Sequence, residues 1–224
     1  MKFQDLTTLL EQDSMFIARD NNRHKRYEQI IQQRIQEYIK NGSKGNLILN
    51  DTPIKSLPDN LVKVGGDLDI DNTNITKLPP TLKLIEGSFA SSSKFTQYPA
   101  HVKINGSVNI SRTNITEIPP NIKFHGDLNI NSSKVSKLPD NLYLPGTLLA
   151  SFCDNLTELP NRLNVMSLWL TKNPNITHVP KDITVRGTAY IDKNAPAFKS
   201  RGFRQQFLSG GPRIYPGILR VYFV

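Results

Sequence analysis

Apolar residues recur along most of this chain at an interval of about 20 residues. One unit reads LxLxxTxIxxLPxxL, and its clearest copies begin at Leu47, Leu68, Val108 and Leu128. Alternation in LxL turns two side chains into a core and leaves their neighbours on the exposed face of a short strand. The pattern predicts an α/β repeat solenoid of about eight turns, with one parallel strand in each turn.

The rest of each unit has little room for a helix. Its proline fixes φ and donates no backbone hydrogen bond, and roughly ten residues remain for the return to the next strand. We therefore expect the return leg to be extended or to form single 3₁₀ turns. A glycine such as Gly66, Gly87 or Gly146 precedes most strands and is expected to permit the tight turn into them.

A different periodicity precedes the repeats. In residues 1–41, apolar side chains follow helical spacings of three and four, first within 6–10 and then within 27–39, and Gly42 marks a helix stop. Because the first turn of a solenoid would expose its apolar edge, we expect residues 1–41 to form a helical N-terminal cap. A dimerisation or partner-binding helix is the alternative.

The segment PDNLVKVGGDLDIDNTNITKLPP resembles the LP-type leucine-rich repeats of many bacterial and bacteriophage proteins and of type III secreted effectors. The resemblance covers about residues 45–195. Leu-Pro or similar junctions recur at Pro58, Pro79, Pro99, Pro119, Pro139, Pro160 and Pro180. The resemblance implies a leucine-rich-repeat horseshoe over 42–198, with residues 199–224 as a basic C-terminal cap or tail.

Nothing in the sequence matches the chemistry of an enzyme. Some effectors with this repeat carry a catalytic Cys-x-Asp, but Cys153 is followed directly by Asp154 and lies within a repeat, where we expect a small residue in an inserted turn. The four histidines show no metal-ligand spacing, and the exposed trio Asp67, Asp69 and Asp71 is a weak cation attractor. We expect no catalytic residue, no metal and no cofactor.

Composition indicates a cytoplasmic protein without a membrane segment. The single cysteine excludes a disulfide framework. No run approaches the ~20 apolar residues of a membrane helix, and the opening residues carry acids where a signal peptide would be apolar. If the gene comes from a phage, the expected location is the cytoplasm of the host cell.

The expected exposed column of the strands offers the best candidate for a binding surface. Its middle positions are Ile48, Asp69, Ala90, Asn109, Asn129, Leu149, Trp169 and Tyr190. Leu149, Trp169 and Tyr190 would gather at one end, with Asn129 and Asn109 beside them, and exposed aromatic clusters anchor protein interfaces. The alternative is that Phe198, Phe203 and Phe207 fold back over this end as a C-terminal cap.

Basic residues support a second hypothesis. The formal net charge is +9, and residues 199–224 contain five basic and no acidic side chains. Lys83, Lys103 and Lys123 recur at the repeat interval and would form a ladder of positive charge, which either opposes edge aggregation or follows an anionic polymer. With Arg201, Arg204 and Arg213 of the tail, this ladder makes nucleic acid a possible partner.

The leading functional hypothesis is a protein-binding adaptor or inhibitor that recognises an unidentified partner on its concave sheet, as a monomer or in a partner-dependent assembly. The resemblance implies a phage or effector protein that acts on a host or bacterial-defence factor. The alternative is a nucleic-acid-associated protein that uses the lysine ladder and the arginine-rich tail.

Overall fold

The chain folds as a parallel β-solenoid of about seven turns with little helix, in a computed structural model that describes residues 21–91, 93–199 and 220–223. Helix α1 spans Asn21–Lys40, and helix α2 is the short Pro196–Lys199 segment. About eight turns were predicted. Eight strands line the long sheet before the final C-terminal strand, and eight strands enclose only seven complete turns.

All strands are parallel, and they form two sheets. The bounds are β1 Leu47–Ile48, β2 Lys63–Val64, β3 Leu68–Asp69, β4 Leu84–Ile85, β5 Phe89–Ala90, β6 Lys103–Ile104, β7 Val108–Asn109, β8 Leu128–Asn129, β9 Tyr143–Leu149, β10 Asn164–Leu170, β11 Thr184–Val185, β12 Thr188–Ile191 and β13 Arg220–Phe223. The long sheet follows the order β1, β3, β5, β7, β8, β9, β10, β12, β13, and β11 also pairs with β10. A second sheet joins β2, β4 and β6, so part of the return leg is a short strand rather than a 3₁₀ turn.

The predicted alternation places the core correctly. In the second turn Leu68 and Ile70 are fully buried, whereas Asp69 between them is half-buried on the outer face. The weakly patterned last turn follows the same rule, because Ala189 and Ile191 are fully buried. The inward side chains of all turns form one continuous hydrophobic cluster. Each turn therefore completes its core only by stacking on its neighbours.

Helix α1 lies against the first turns. It contributes Tyr27, Ile31, Ile35 and Tyr38 to the hydrophobic cluster. The Tyr38 hydroxyl donates to Gly45 O at 2.9 Å and accepts from Gly65 N at 3.2 Å, which ties the helix to two successive turns. The helix ends as expected before Gly42, whose φ is 83°. The first piece of the predicted helix, within 6–10, lies outside the described residues.

The glycines before the strands are required for stacking. A Cβ added at Gly87 would lie 2.2 Å from Asp67 Oδ1 and 2.7 Å from the carbonyl carbon of Gly66. At Gly146 the nearest atom is Asp127 Oδ1, again at 2.2 Å. Positive φ occurs only at Gly42 and Gly45 among the glycines of the described chain. The expectation that these glycines permit a tight turn is therefore wrong, since close approach of the adjacent turn is what excludes a side chain.

A left-handed residue that is not a glycine follows six strands of the long sheet: β1, β3, β7, β8, β9 and β10. Asp51, Asn72, Arg112, Ser132, Phe152 and Lys172 occupy this position, with φ between 51° and 59°. The next residue is a small or polar side chain buried in the turn. In three turns this is a threonine, and Thr52, for example, donates from Oγ1 to Leu49 O at 2.6 Å. That internal bond holds the turn closed around a backbone conformation that most residues avoid.

Cys153 and Asn173 take the same position in the two turns that carry an inserted residue. Cys153 is fully buried, its Sγ lies 3.1 Å from Ile130 O, and burial raises the pKa of its thiol to about 11. This confirms a small residue in an inserted turn. Asn173 joins the two turns, because its Nδ2 donates to Ala150 O at 2.6 Å and its Oδ1 accepts from Cys153 N at 2.7 Å.

Replacing Leu128 with aspartate should unfold the neighbouring turns. The side chain is fully buried, and an unpaired carboxylate there should lower the free energy of unfolding by more than about 4 kcal/mol. The matched control is Asn129→Asp, which puts the same charge one residue later on the outer face and should change stability little. Equal melting temperatures for the two variants would contradict the register of the repeat.

Asn173→Ala should be strongly destabilising although Asn173 is polar. It leaves Cys153 N and Ala150 O without their partner inside the solenoid, at a cost of about 3 kcal/mol or more. Asn175→Ala is the control, because that exposed side chain makes one bond, to Asp154 O. Chemical denaturation measures the free energy of unfolding of both variants. If Asn173→Ala lowers this free energy no more than Asn175→Ala does, the structural role of Asn173 is refuted.

Candidate functional site

The exposed column predicted from the repeats exists, and its backbone register is continuous. Ile48 pairs with Asp69, Asp69 with Ala90, and the pairing continues through Asn109, Asn129, Leu149 and Trp169 to Tyr190. The strand face is defined as this column together with two flanking columns. The flanking columns are the outward positions two residues before and two residues after the central column in each turn. Neighbouring strands place these side chains about 4.8 Å apart.

Three aromatic rings form a row at the C-terminal end of the strand face. Trp169 and Tyr190 have ring centroids 4.6 Å apart, and Tyr190 stacks on Tyr222 at 4.9 Å with an interplanar angle of 12°. Trp169 is 43% exposed and Tyr222 is 42% exposed. Leu149 stands beside Trp169 on β9. The row is held on a rigid sheet while much of its area remains in contact with solvent.

Tyr222 was not predicted as part of this site. It belongs to β13, which pairs in parallel with β12 and puts Tyr222 opposite Tyr190. The sequence predicted a basic cap or tail for residues 199–224, and residues 220–223 form a last strand. The only signal was the β-prone run RVYF, because this strand does not arrive at the repeat interval.

The alternative of a C-terminal cap involved Phe198, Phe203 and Phe207. Phe198 is fully buried and belongs to the hydrophobic cluster. Phe203 and Phe207 lie outside the described residues. Tyr222 of the C-terminal strand covers one face of Tyr190, while Trp169 stays 43% exposed.

A shallow groove of about 310 Å³ runs along the strand face from Ile48 to Leu149. Asn109 and Asn129, two of the residues proposed from the sequence for partner binding, line this groove. Each also supports its own turn, because Asn109 Oδ1 accepts from Ser111 N and Asn129 Oδ1 accepts from Asn131 N, both at 3.0 Å. Their side chains are therefore held in fixed orientations before any partner arrives.

A second polar column runs along the start of the strands and was missed. Asn46 Oδ1 accepts from Asp67 N, Asp67 Oδ1 from Ser88 N, and Ser88 Oγ from Ser107 N. The series continues with Ser107 Oγ accepting from Asp127 N and Asp127 Oδ1 from Thr147 N. Asparagine, serine and aspartate perform the same role here, and this variety hides the column from a search for one repeated residue.

Carboxylates crowd the N-terminal half of the strand face. The pKa of Asp69 is raised, first by burial and then by the charges of Asp71, Asp51 and Asp67, against the hydrogen bond from Asp71 N. No group of three or more metal-ligating side chains has metal-site geometry among the residues described. The trio of aspartates is therefore a patch of negative charge.

The lysine ladder is less regular than predicted. Lys83, Lys103 and Lys123 are all exposed. However, β6 pairs with β4 so that Lys103 lies opposite Leu84, because only 19 residues separate these partners. Lys83 therefore sits one residue away from the expected column. The other predicted anion contacts, Arg201, Arg204 and Arg213, lie outside the described residues.

Comparison with protein-family models, with curated proteins and with solved structures gave no match. Within residues 21–91, 93–199 and 220–223, no helix is long and apolar enough to cross a membrane.

Asp69→Asn should raise the melting temperature at neutral pH. The folded-state pKa of Asp69 is raised, so its ionised form disfavours folding at any pH above that pKa, and the penalty fades as the pH falls towards the ordinary value. Asparagine keeps the Oδ1 acceptor without the charge. The gain over wild type should therefore disappear in acid.

Asp140→Asn is the control of opposite sign. Hydrogen bonds from the Asn161 side chain and backbone lower the pKa of Asp140, so the folded state favours its carboxylate. Neutralising Asp140 should not raise the melting temperature at neutral pH. A higher melting temperature in Asp140→Asn and an unchanged one in Asp69→Asn would contradict the electrostatics described for the strand face.

Proposed function

We propose that this protein is a leucine-rich-repeat type adaptor or inhibitor that binds a partner protein on its strand face. In this proposal the strand face is the concave side of a horseshoe, helix α1 caps the first turn, and the partner is a host or bacterial-defence factor, as the sequence resemblance implies. The single observation that carries it is the aromatic row beside Leu149, in which Trp169 and Tyr222 are exposed and the half-buried Tyr190 lies between them.

Apolar area of this aromatic row that remains in contact with water has an unfavourable free energy of hydration, which is relieved when a partner covers it. A large apolar side chain in water contributes little to folding, and clustered exposed aromatics are typical of interface anchors. Here the rings are fixed by mutual contact and by pairing of β10, β12 and β13, so little side-chain entropy is lost when a partner covers them. The preformed geometry favours a protein surface over a flexible small molecule.

The rest of the strand face fits the surroundings of an anchor. The groove beside the row is shallow, and the side chains of Asn109 and Asn129 are already oriented. A central apolar anchor with adjacent polar positions is the usual composition of a protein interface. We therefore place most of the binding energy at the Trp169 end and selectivity along the groove.

Trp169→Ala should weaken partner binding by about 2 kcal/mol or more, close to thirtyfold, while leaving the fold nearly intact. Loss of the contact with Tyr190 should cost no more than about 1 kcal/mol of stability. A partner is first captured from nuclease-treated lysate by the full chain, then purified and titrated by calorimetry. Melting temperature is measured in parallel.

Tyr143→Ala is the matched control. Tyr143 is 51% exposed and starts β9, roughly 20 Å along the chain from Leu149, and its ring contacts Arg186 instead of the aromatic row. It should leave affinity unchanged. Equal loss of affinity in the two variants, or loss of stability in Trp169→Ala without loss of affinity in the folded fraction, would refute the aromatic anchor.

A further inference from the structure

Positive charge is absent from the strand face between β1 and β12, although the whole chain has a net charge of +9. Along the eight strands of the long sheet from β1 to β12, the described residues of the three outward columns include no lysine and no arginine. They contain four solvent-accessible aspartates, Asp67, Asp69, Asp71 and Asp127, and one buried aspartate, Asp192. The basic residues of this region are confined to other faces of the solenoid.

These carboxylates are not required by the fold. Asn46 accepts a backbone hydrogen bond from the next turn in the same way as Asp67 and Asp127 do. Asn109 and Asn129 likewise close their turns through Oδ1 in the way that Asp69 does. A neutral side chain meets the structural need at equivalent positions, so the negative charge at 67, 69 and 127 serves something other than stacking.

The accessible aspartates lie away from the aromatic row. Asp69 ends β3 and Asp67 directly precedes it, Asp127 adjoins β8, and Trp169 lies on β10. At about 4.8 Å a strand, Asp127 is roughly 10 Å and Asp69 roughly 24 Å from Trp169. Beyond Trp169, β12 and β13 complete the sheet in parallel register.

We propose that the strand face binds a basic polypeptide segment, with an aromatic or branched aliphatic side chain on Trp169, Tyr190 and Tyr222 and with lysine or arginine side chains over Asp127, Asp67 and Asp69. This inference rests on the proposed function and specifies the chemistry of the partner. Basic side chains about three residues and about seven residues from the apolar anchor would reach these carboxylates in an extended segment.

The net positive charge of the chain does not prevent such binding. At physiological ionic strength charges are screened over about 8 Å, so a bound segment responds to the carboxylates beneath it more than to cations on the other faces. The face also disfavours a nucleic acid, whose phosphates would lie over four solvent-accessible aspartates. Charge of this kind mainly determines which partner is selected and at which end it docks.

The test uses a displayed library of random 12-residue peptides, long enough to span roughly 40 Å when extended. Peptides are selected on the full chain, and enriched peptides are synthesised with a fluorescent label and titrated. The test variant is Asp67→Asn, Asp69→Asn and Asp127→Asn combined. The control variant removes three exposed carboxylates from other faces, through Asp59→Asn, Glu117→Gln and Glu158→Gln. Trp169 is the sole tryptophan, so its emission independently reports contact with the strand face.

Enriched peptides should carry net positive charge and at least one large apolar residue. Their affinity at low salt should fall on the order of tenfold in the test variant and remain unchanged in the control variant, with a shift in Trp169 emission on binding. Neutral or acidic enriched peptides, equal losses in both triple variants, or failure to enrich any peptide would overturn the inference.

Trp169→Ala separates this inference from the proposed function. If enriched peptides lose affinity in Trp169→Ala but not in the triple aspartate variant, the strand face binds protein and the basic chemistry is wrong. If basic peptides bind Trp169→Ala as tightly as wild type, both the aromatic anchor and this inference fall.

Discussion

Stacking of each turn on its neighbours is the constraint on which every other feature of this molecule depends. A single turn of about 20 residues has no core of its own, and its strand has no partner within the turn. Backbone bonds such as Leu68 N to Ser88 O and Phe89 N to Ser107 O therefore run between turns. The adjacent turn approaches so closely at Gly87 and Gly146 that even a methyl group would collide with it.

This constraint divides the positions of the repeat into those that are fixed and those that are free. Most inward strand positions are apolar because they pack against their counterparts in the neighbouring turns, although their size varies from Ala189 to Phe89 and Ser91 is polar. Positions that close the turns must offer a hydrogen-bonding atom, which Thr52, Cys153 and Asn173 supply in different ways. Outward strand positions are less constrained, because Asp67 and Asn109 accept backbone hydrogen bonds but Ala90 and Trp169 at other such positions do not need to. Function is therefore free to accumulate on the strand face without changing the fold, as the change from Asp69 to Trp169 at one position of the repeat illustrates.

The 20-residue periodicity of the sequence predicted the core positions and the outward column of the strands. It did not predict pairings that depart from this interval. The LxL alternation located the core and placed Trp169 between Leu149 and Tyr190, because burial of alternate residues allows only one register. The slip that moves Lys83 out of the lysine column follows from a 19-residue turn, which a search for a constant interval does not see. Tyr222 was missed for a related reason, since β13 joins the sheet outside the repeat interval and only its pairing with β12 connects it to the site. The role of the glycines before the strands was predicted wrongly. The sequence shows that these positions lack a side chain, but only the close approach of the adjacent turn explains why a side chain is excluded.

The arrangement of the strand face also shows how one scaffold separates charge from apolar area. A parallel sheet of stacked turns is a one-dimensional series of equivalent sites, so each outward residue acts at a distance fixed by the number of strands between it and its neighbours. Asp69 and Trp169 are five strands apart, far enough that the carboxylate does not need to be desolvated when the aromatic row is covered. A partner can thus gain apolar contact at one end and charge complementarity at the other without the cost of burying an unpaired carboxylate. Asp192, which follows β12 beside the aromatic row, is already buried and accepts a hydrogen bond from Asn194 N. The separation lets both interactions act on one bound segment.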